Sequence, residues 1–164
     1  MEQKNLRLQP FIIFLIFVLA LGSTGCGGRK RANIRQKRVN TVISAARSYR
    51  GTPYKWGGTS RAGLDCSALT MNSFKSTNIH LPRSTKDQIK IGEKVKLNDL
   101  KPGDLVFFGS VKRKRKVAHV GIVSRVRGKG DVYFIHASTS LGVIESKLHT
   151  KYYLKIFKQG RRVL

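Results

Sequence analysis

A chain of 164 residues, 40% hydrophobic, is long enough for a single buried core and too apolar to be disordered or fibrous. Its 33 lysines and arginines against 8 acidic residues give a net charge of +25, a surface that attracts any polyanion: nucleic acid, anionic lipid or an acidic wall polymer. No internal repeat and no composition break marks a second domain, so solenoids and multidomain arrays are excluded.

The elements begin with an address. Lys4 and Arg7 precede an unbroken apolar run over 11–21, and the small residues of "GSTGCGG" follow. Basic, apolar and small segments in that order read as an export signal, and the run is too short for a comfortable membrane-spanning helix. "STGC" at 23–26 resembles the lipobox of bacterial lipoproteins, with Ser23 where leucine is usual and Cys26 as the residue that would carry lipid. The expected organisation is therefore a signal peptide over 1–25, a basic tether over 26–37 and one domain over 38–164.

Within that domain Val39, Val42, Ile43, Ala46 and Tyr49 recur at helical spacing, and Gly51-Thr52-Pro53 ends the helix. "PYKWGGTSRAG" is a loop punctuated by glycines. A second helix starts at Asp65 or Cys66 and runs to about Ser76, and "LPRSTKDQI" gives a turn and a short helical piece. After Leu100 the period changes. "DLVFFG" (104–109), "VAHVGIVS" (117–124), "DVYFIHAS" (131–138), "GVIES" (142–146) and "YYLKIF" (152–157) read as strands. Helices followed by antiparallel strands make the class α+β. "KRKRK" at 112–116 reads as a solvated hairpin tip, because no aromatic stacking pattern or nucleic-acid motif accompanies it.

The chain has two cysteines and four histidines. In an exported protein the two cysteines could join in one disulfide; if Cys26 carries lipid, Cys66 is instead a lone thiol in an oxidising compartment, either buried or used. It stands at a helix start, which favours the thiolate. His119 and His136 stand on successive predicted strands. A reversal near Arg127 and Gly128 would set them opposite each other, about 5 Å apart. One can then act as a base while the other orients it through the second ring nitrogen. Each histidine alone reads better as a core residue satisfied by hydrogen bonds than as a catalytic one. The pair beside a cysteine raises the catalytic reading.

Taken together, "GTPYKWGGTSRAGLDCSALT", "LPRST", "KPGDLVFF", "AHVGIV" and "FIHAS" closely resemble, in that order, the motifs of the NlpC/P60 family of bacterial cell-wall cysteine peptidases. The resemblance covers about residues 38–157. It implies a papain-like core, with N-terminal helices packed on an antiparallel sheet, and hydrolysis of peptidoglycan stem peptides, typically between D-glutamate and the diamino acid. It also implies Cys66 as nucleophile, His119 as base, His136 as the residue orienting that base, and Tyr54 as a donor to the oxyanion. Asp65 and Ser67 match residues that contact the free amine of the stem peptide. Arg83 matches a structural or substrate-proximal arginine, and Trp56 lies in the loop motif taken to meet substrate. Ala68 replaces the usual glycine after "DCS", and the interval from His119 to His136 is longer than is typical.

The resemblance implies neither cofactor nor metal. The expected partners are stem peptides, anionic envelope polymers or lipid head groups, and the membrane through lipidated Cys26. No specific nucleic acid is expected, and the protein is expected to be a monomer in the cell envelope. Other readings stay open on the residues alone: a wall-binding protein without activity, or a related amidase or acyltransferase.

Overall fold

The computed structural model describes residues 26–110 and 116–164, and the side chains from residue 28 onward. The expected signal peptide, the side chain of Cys26 expected to carry lipid, and residues 112–115 of the basic tip lie outside the described residues. The chain divides into two units between Gln36 and Lys37. The segment read as a tether is helical from Cys26, because arginine, lysine, alanine and glutamine are good helix formers even without an apolar stripe. It continues as one helix, α1 (Cys26–Ser48).

A short hairpin of β1 (Thr59–Ser60) and β2 (Gly63–Leu64) follows, then α2 (Cys66–Lys75) and the single turn α3 (Thr85–Gln88). The remaining strands are β3 (Glu93–Val95), β4 (Leu105–Gly109), β5 (Val117–Val126), β6 (Val132–Ser138), β7 (Gly142–Lys147) and β8 (Phe157–Arg162). Helix α4 (Lys151–Ile156) precedes the last of these. All but β1 and β2 form one six-stranded sheet in the order β3-β8-β4-β5-β6-β7, antiparallel at every pairing.

Two apolar layers sandwich that sheet, as its period of two requires. Leu105, Phe107, Val120, Ile122, Ile135 and Ala137 face α1 and α2, meeting Val39, Val42, Ala46, Leu69 and Phe74. Val106, Phe108, Val123 and Phe134 point the other way, onto Leu148, Ile156 and Tyr153. Arg47 in the last turn of α1 and Arg50 in the turn after it reach Glu145 on β7 at 3.7 and 2.7 Å.

"YYLKIF" is not a strand. Tyr153, Ile156 and Phe157 follow a helical spacing, and the Thr150 side chain caps the turn by accepting the Tyr153 N–H. The strand comes next, as Phe157–Arg162, and its sequence carries no apolar alternation. It is held by pairing on both edges, to β3 and β4, and by Arg162, whose guanidinium donates to both carboxylate oxygens of buried Asp104 at 2.9 and 2.7 Å.

Candidate active site

The loop before α2 is fixed by its backbone. Tyr54 bridges Leu64, the Leu64 N–H donates to Pro53 O, and the Lys55 N–H donates to Leu64 O. Gly57 takes φ 74°, a conformation that favours glycine, and its N–H reaches Asp65 Oδ2 at 3.1 Å. Asp65 is the N-cap of α2, accepting the Ala68 N–H at 2.8 Å. The same carboxylate accepts both terminal nitrogens of Arg83, at 3.0 and 2.6 Å, and the Ser67 hydroxyl at 2.9 Å. Arg83 also donates to Ser67 Oγ at 2.9 Å. These charge-assisted bonds outweigh burial and hold the Asp65 carboxyl below the usual range, so it is an anion at any physiological pH.

Cys66 therefore opens a helix whose first turn is locked in place. Its side chain is buried, and the backbone N–H of Val120 on β5 points at the sulfur. Thr85 Oγ1 lies 3.8 Å from Sγ. Burial dominates and pushes the thiol pKa up, while the Val120 N–H and the Thr85 hydroxyl pull it down.

His119 and His136 meet on the opposite face of the sheet from the α2 core. His119 Nε2 lies 2.9 Å from His136 Nδ1, with the rings edge to face at 5.0 Å. The two are not directly opposite. A bulge at Ser124 shifts the β5–β6 register, and Ile122 pairs with Ile135, which sets the histidines on a diagonal. Gly121 makes that diagonal possible: a Cβ there would come 3.2 Å from His136 Cβ and 2.6 Å from the Phe134 ring. Gly121→Ala is expected to cost about 1–3 kcal/mol and to lower activity with it, as measured by denaturant unfolding and turnover together.

The second nitrogen of His136 lies 3.0 Å from Ser146 Oγ and 3.3 Å from the Tyr153 hydroxyl, and its ring stacks on Phe134. Burial holds both imidazoles neutral, His119 near 4 and His136 near 3, the latter pushed further by His119. Because the unfolded histidines regain pKa values near 6.5, they take up protons that the folded chain refuses, so stability falls as pH drops below that value. Well below 6.5 the expected loss approaches about 1.4 kcal/mol per pH unit for each histidine. Urea unfolding between pH 7 and 5 checks this before the carboxylates begin to titrate, and His136→Gln should flatten the slope.

The structure thus brings Tyr54, Asp65, Cys66, Ser67 and Arg83 into one cluster and His119 with His136 into another. The Val120 N–H, one residue from His119, joins the two. Among the described residues the sulfur's hydrogen-bond partners are the Thr85 hydroxyl and the backbone N–H groups of Val120 and Ser67, not the His119 ring. Trp56 is 84% exposed on the rim of a groove of about 810 Å³, whose walls include Cys66, Arg83, Lys86 and Lys116. Burial first, then the charges of Cys66 and Asp65, raise the Tyr54 pKa, so its hydroxyl stays a donor. Sequence reading missed Thr85, Ser146 and Tyr153. Only Thr85 had a signal, by standing two residues after Arg83 in "LPRST".

The comparisons agree with one another. The model of the NlpC/P60 family matches residues 51–162. The chain is 39% identical over 156 residues to the probable endopeptidase NlpC of Escherichia coli (strain K12), covering 91% of this chain and 97% of that one. It is 38% identical over 124 residues to the murein DD-endopeptidase MepS/murein LD-carboxypeptidase of the same organism, covering 75% of this chain and 62% of that one. A solved NlpC/P60 family protein from Bacillus cereus superposes with TM-score 0.69 and 33% identity over 77% of this chain and 40% of its own. A family match over most of the folded unit, a near full-length relative and a shared α+β core lead to one conclusion: the chain belongs to the NlpC/P60 family of bacterial cell-wall peptidases.

Proposed function

We propose that the protein is an envelope cysteine endopeptidase that cuts peptidoglycan stem peptides at the D-glutamyl–diamino acid bond through a thioester on Cys66. The observation that carries the proposal is a buried thiol at a locked helix start, under the backbone N–H next to a paired histidine. With its proton on Nε2 and shared with His136, His119 keeps a lone pair on Nδ1. In this reading that nitrogen takes the Cys66 proton. The thiolate attacks the stem-peptide carbonyl, and the oxyanion is held by N–H groups at the start of α2 and by the Tyr54 hydroxyl. The imidazolium gives its proton to the leaving amine. Water, activated by the same nitrogen, then hydrolyses the thioester. His136 holds the His119 ring, and Ser146 with Tyr153 holds His136 in turn.

Asp65 and Ser67 face the groove and take the free amine of the stem in this reading, with Arg83 fixing the carboxylate and Trp56 covering the peptide. Export and a lipid on Cys26 would hold the domain against its substrate, and the basic surface would add attraction to acidic envelope polymers or lipid head groups. Among the described residues no helix is long and apolar enough to cross a membrane.

Digestion of defined stem peptides and crosslinked muropeptides, with products identified by mass, tests the assignment of the bond. New termini at D-glutamate and the diamino acid support it. Cleavage confined to D,D-crosslinks, the bond named for the MepS relative, would replace it.

A further inference from the structure

One buried side chain holds the segment over 82–88 against the first turn of α2. Gln88 is fully buried on α3. Its Nε2 donates to Pro82 O at 2.8 Å and to Ser67 O at 3.0 Å. Thr70 Oγ1 lies 2.7 Å from Gln88 Oε1 and 2.8 Å from Ser67 O, its one proton shared between them. Both amide protons and the amide oxygen are thus used, and a buried carboxamide that lost them would be left costly and unpaired. The clamp gives the segment one position relative to the carbonyl that follows Cys66. In that position Thr85 Oγ1 stands 3.8 Å from Cys66 Sγ.

We propose that Thr85 is a catalytic residue whose hydroxyl donates a hydrogen bond to the Cys66 thiolate, and that Gln88 is the positioning residue that keeps it there. The proposal rests on the reading of Cys66 as nucleophile. A thiolate buried at this site needs donors aimed at it: the Val120 and Ser67 N–H groups from the backbone and, as the side-chain donor among the described residues, the Thr85 hydroxyl. In the resting thiol the S–H and O–H share the contact in either sense. When His119 takes the thiol proton, the Thr85 O–H turns to point at sulfur and keeps its own proton, so nothing but the thiol proton is transferred. Because burial makes His119 a reluctant cation, neutral donors carry more of the thiolate's stabilisation than a preformed ion pair would.

The test is the pH dependence of Cys66 alkylation by iodoacetamide in the full chain carrying Cys26→Ser, so that Cys66 is the only thiol. Thr85→Val is expected to move the midpoint up by about one pH unit and slow alkylation at pH 7 about tenfold, with an unchanged plateau at high pH. Thr85→Ser should restore the original profile, and Gln88→Met should move it in the same direction as valine. Superimposable profiles for wild type and Thr85→Val would overturn the proposal, as would a serine variant that fails to restore the midpoint. Stem-peptide hydrolysis measured alongside separates the two claims. A shifted profile in a protein that cuts no stem peptide supports the role of Thr85 and removes the peptidase reading. Hydrolysis lost in Thr85→Val with an unmoved profile does the reverse.

Discussion

Cys66→Ala should abolish stem-peptide hydrolysis, by on the order of 10⁴-fold or more, while leaving the fold intact. The substitution removes one sulfur at the head of α2 and touches none of the bonds that lock that helix. The Asp65 cap, the Arg83 fork and the Gln88 clamp all bypass the side chain of Cys66. The small void left at a buried position costs little beside that network. Thermal unfolding near the wild-type midpoint, together with lost turnover, is the expected pair of results. Residual cleavage within tenfold of wild type would mean that another group performs the attack.

The histidines should separate into two kinds of loss. His119→Ala is expected to lower kcat by about 10²–10⁴-fold, because the proton acceptor disappears from a half-buried position at the site. His136→Ala should lower kcat as well, through a disordered His119 ring, and should also destabilise the fold by about 2–4 kcal/mol. His136 is 3% exposed, stacked on Phe134 at 4.7 Å and hydrogen-bonded to Ser146, so its removal opens a cavity and breaks that bond. Activity and urea midpoints measured side by side distinguish the two. The acid limb of kcat/KM for wild type should fall below the ordinary imidazole value of 6.5, because burial lowers the His119 pKa to about 4. A limb at or above 6.5 would place the base outside this buried pair.

Much of the candidate site is legible in the sequence. Cys66 at a helix start, the loop motif around Tyr54 and the two histidine motifs stand in the sequence as short, ordered signatures. The strands β4 to β7 show themselves through alternating or continuous apolar runs. What was not legible depends on partners distant in sequence. Strand β8 reads as polar because Gly160 sits against Leu100 and Val95, and because Arg162 is neutralised by Asp104, 58 residues earlier. Tyr153 and Phe157 carry a helical spacing that their aromatic, strand-favouring character disguised. The diagonal placement of His119 and His136 follows from one extra residue at Ser124, which no local pattern announces. Thr85 gains its place only because the Gln88 clamp folds α3 onto the first turn of α2.

The central claim is covalent chemistry at one sulfur, and intact-mass analysis during turnover tests it most directly. The protein is mixed with a stem peptide, quenched in acid within the first turnovers, and mapped by proteolysis and mass. The account predicts an adduct with the mass of the acyl half of the substrate, confined to the peptide that contains Cys66 and absent from Cys66→Ala. Continued hydrolysis in Cys66→Ala, with no adduct in either protein, would contradict it.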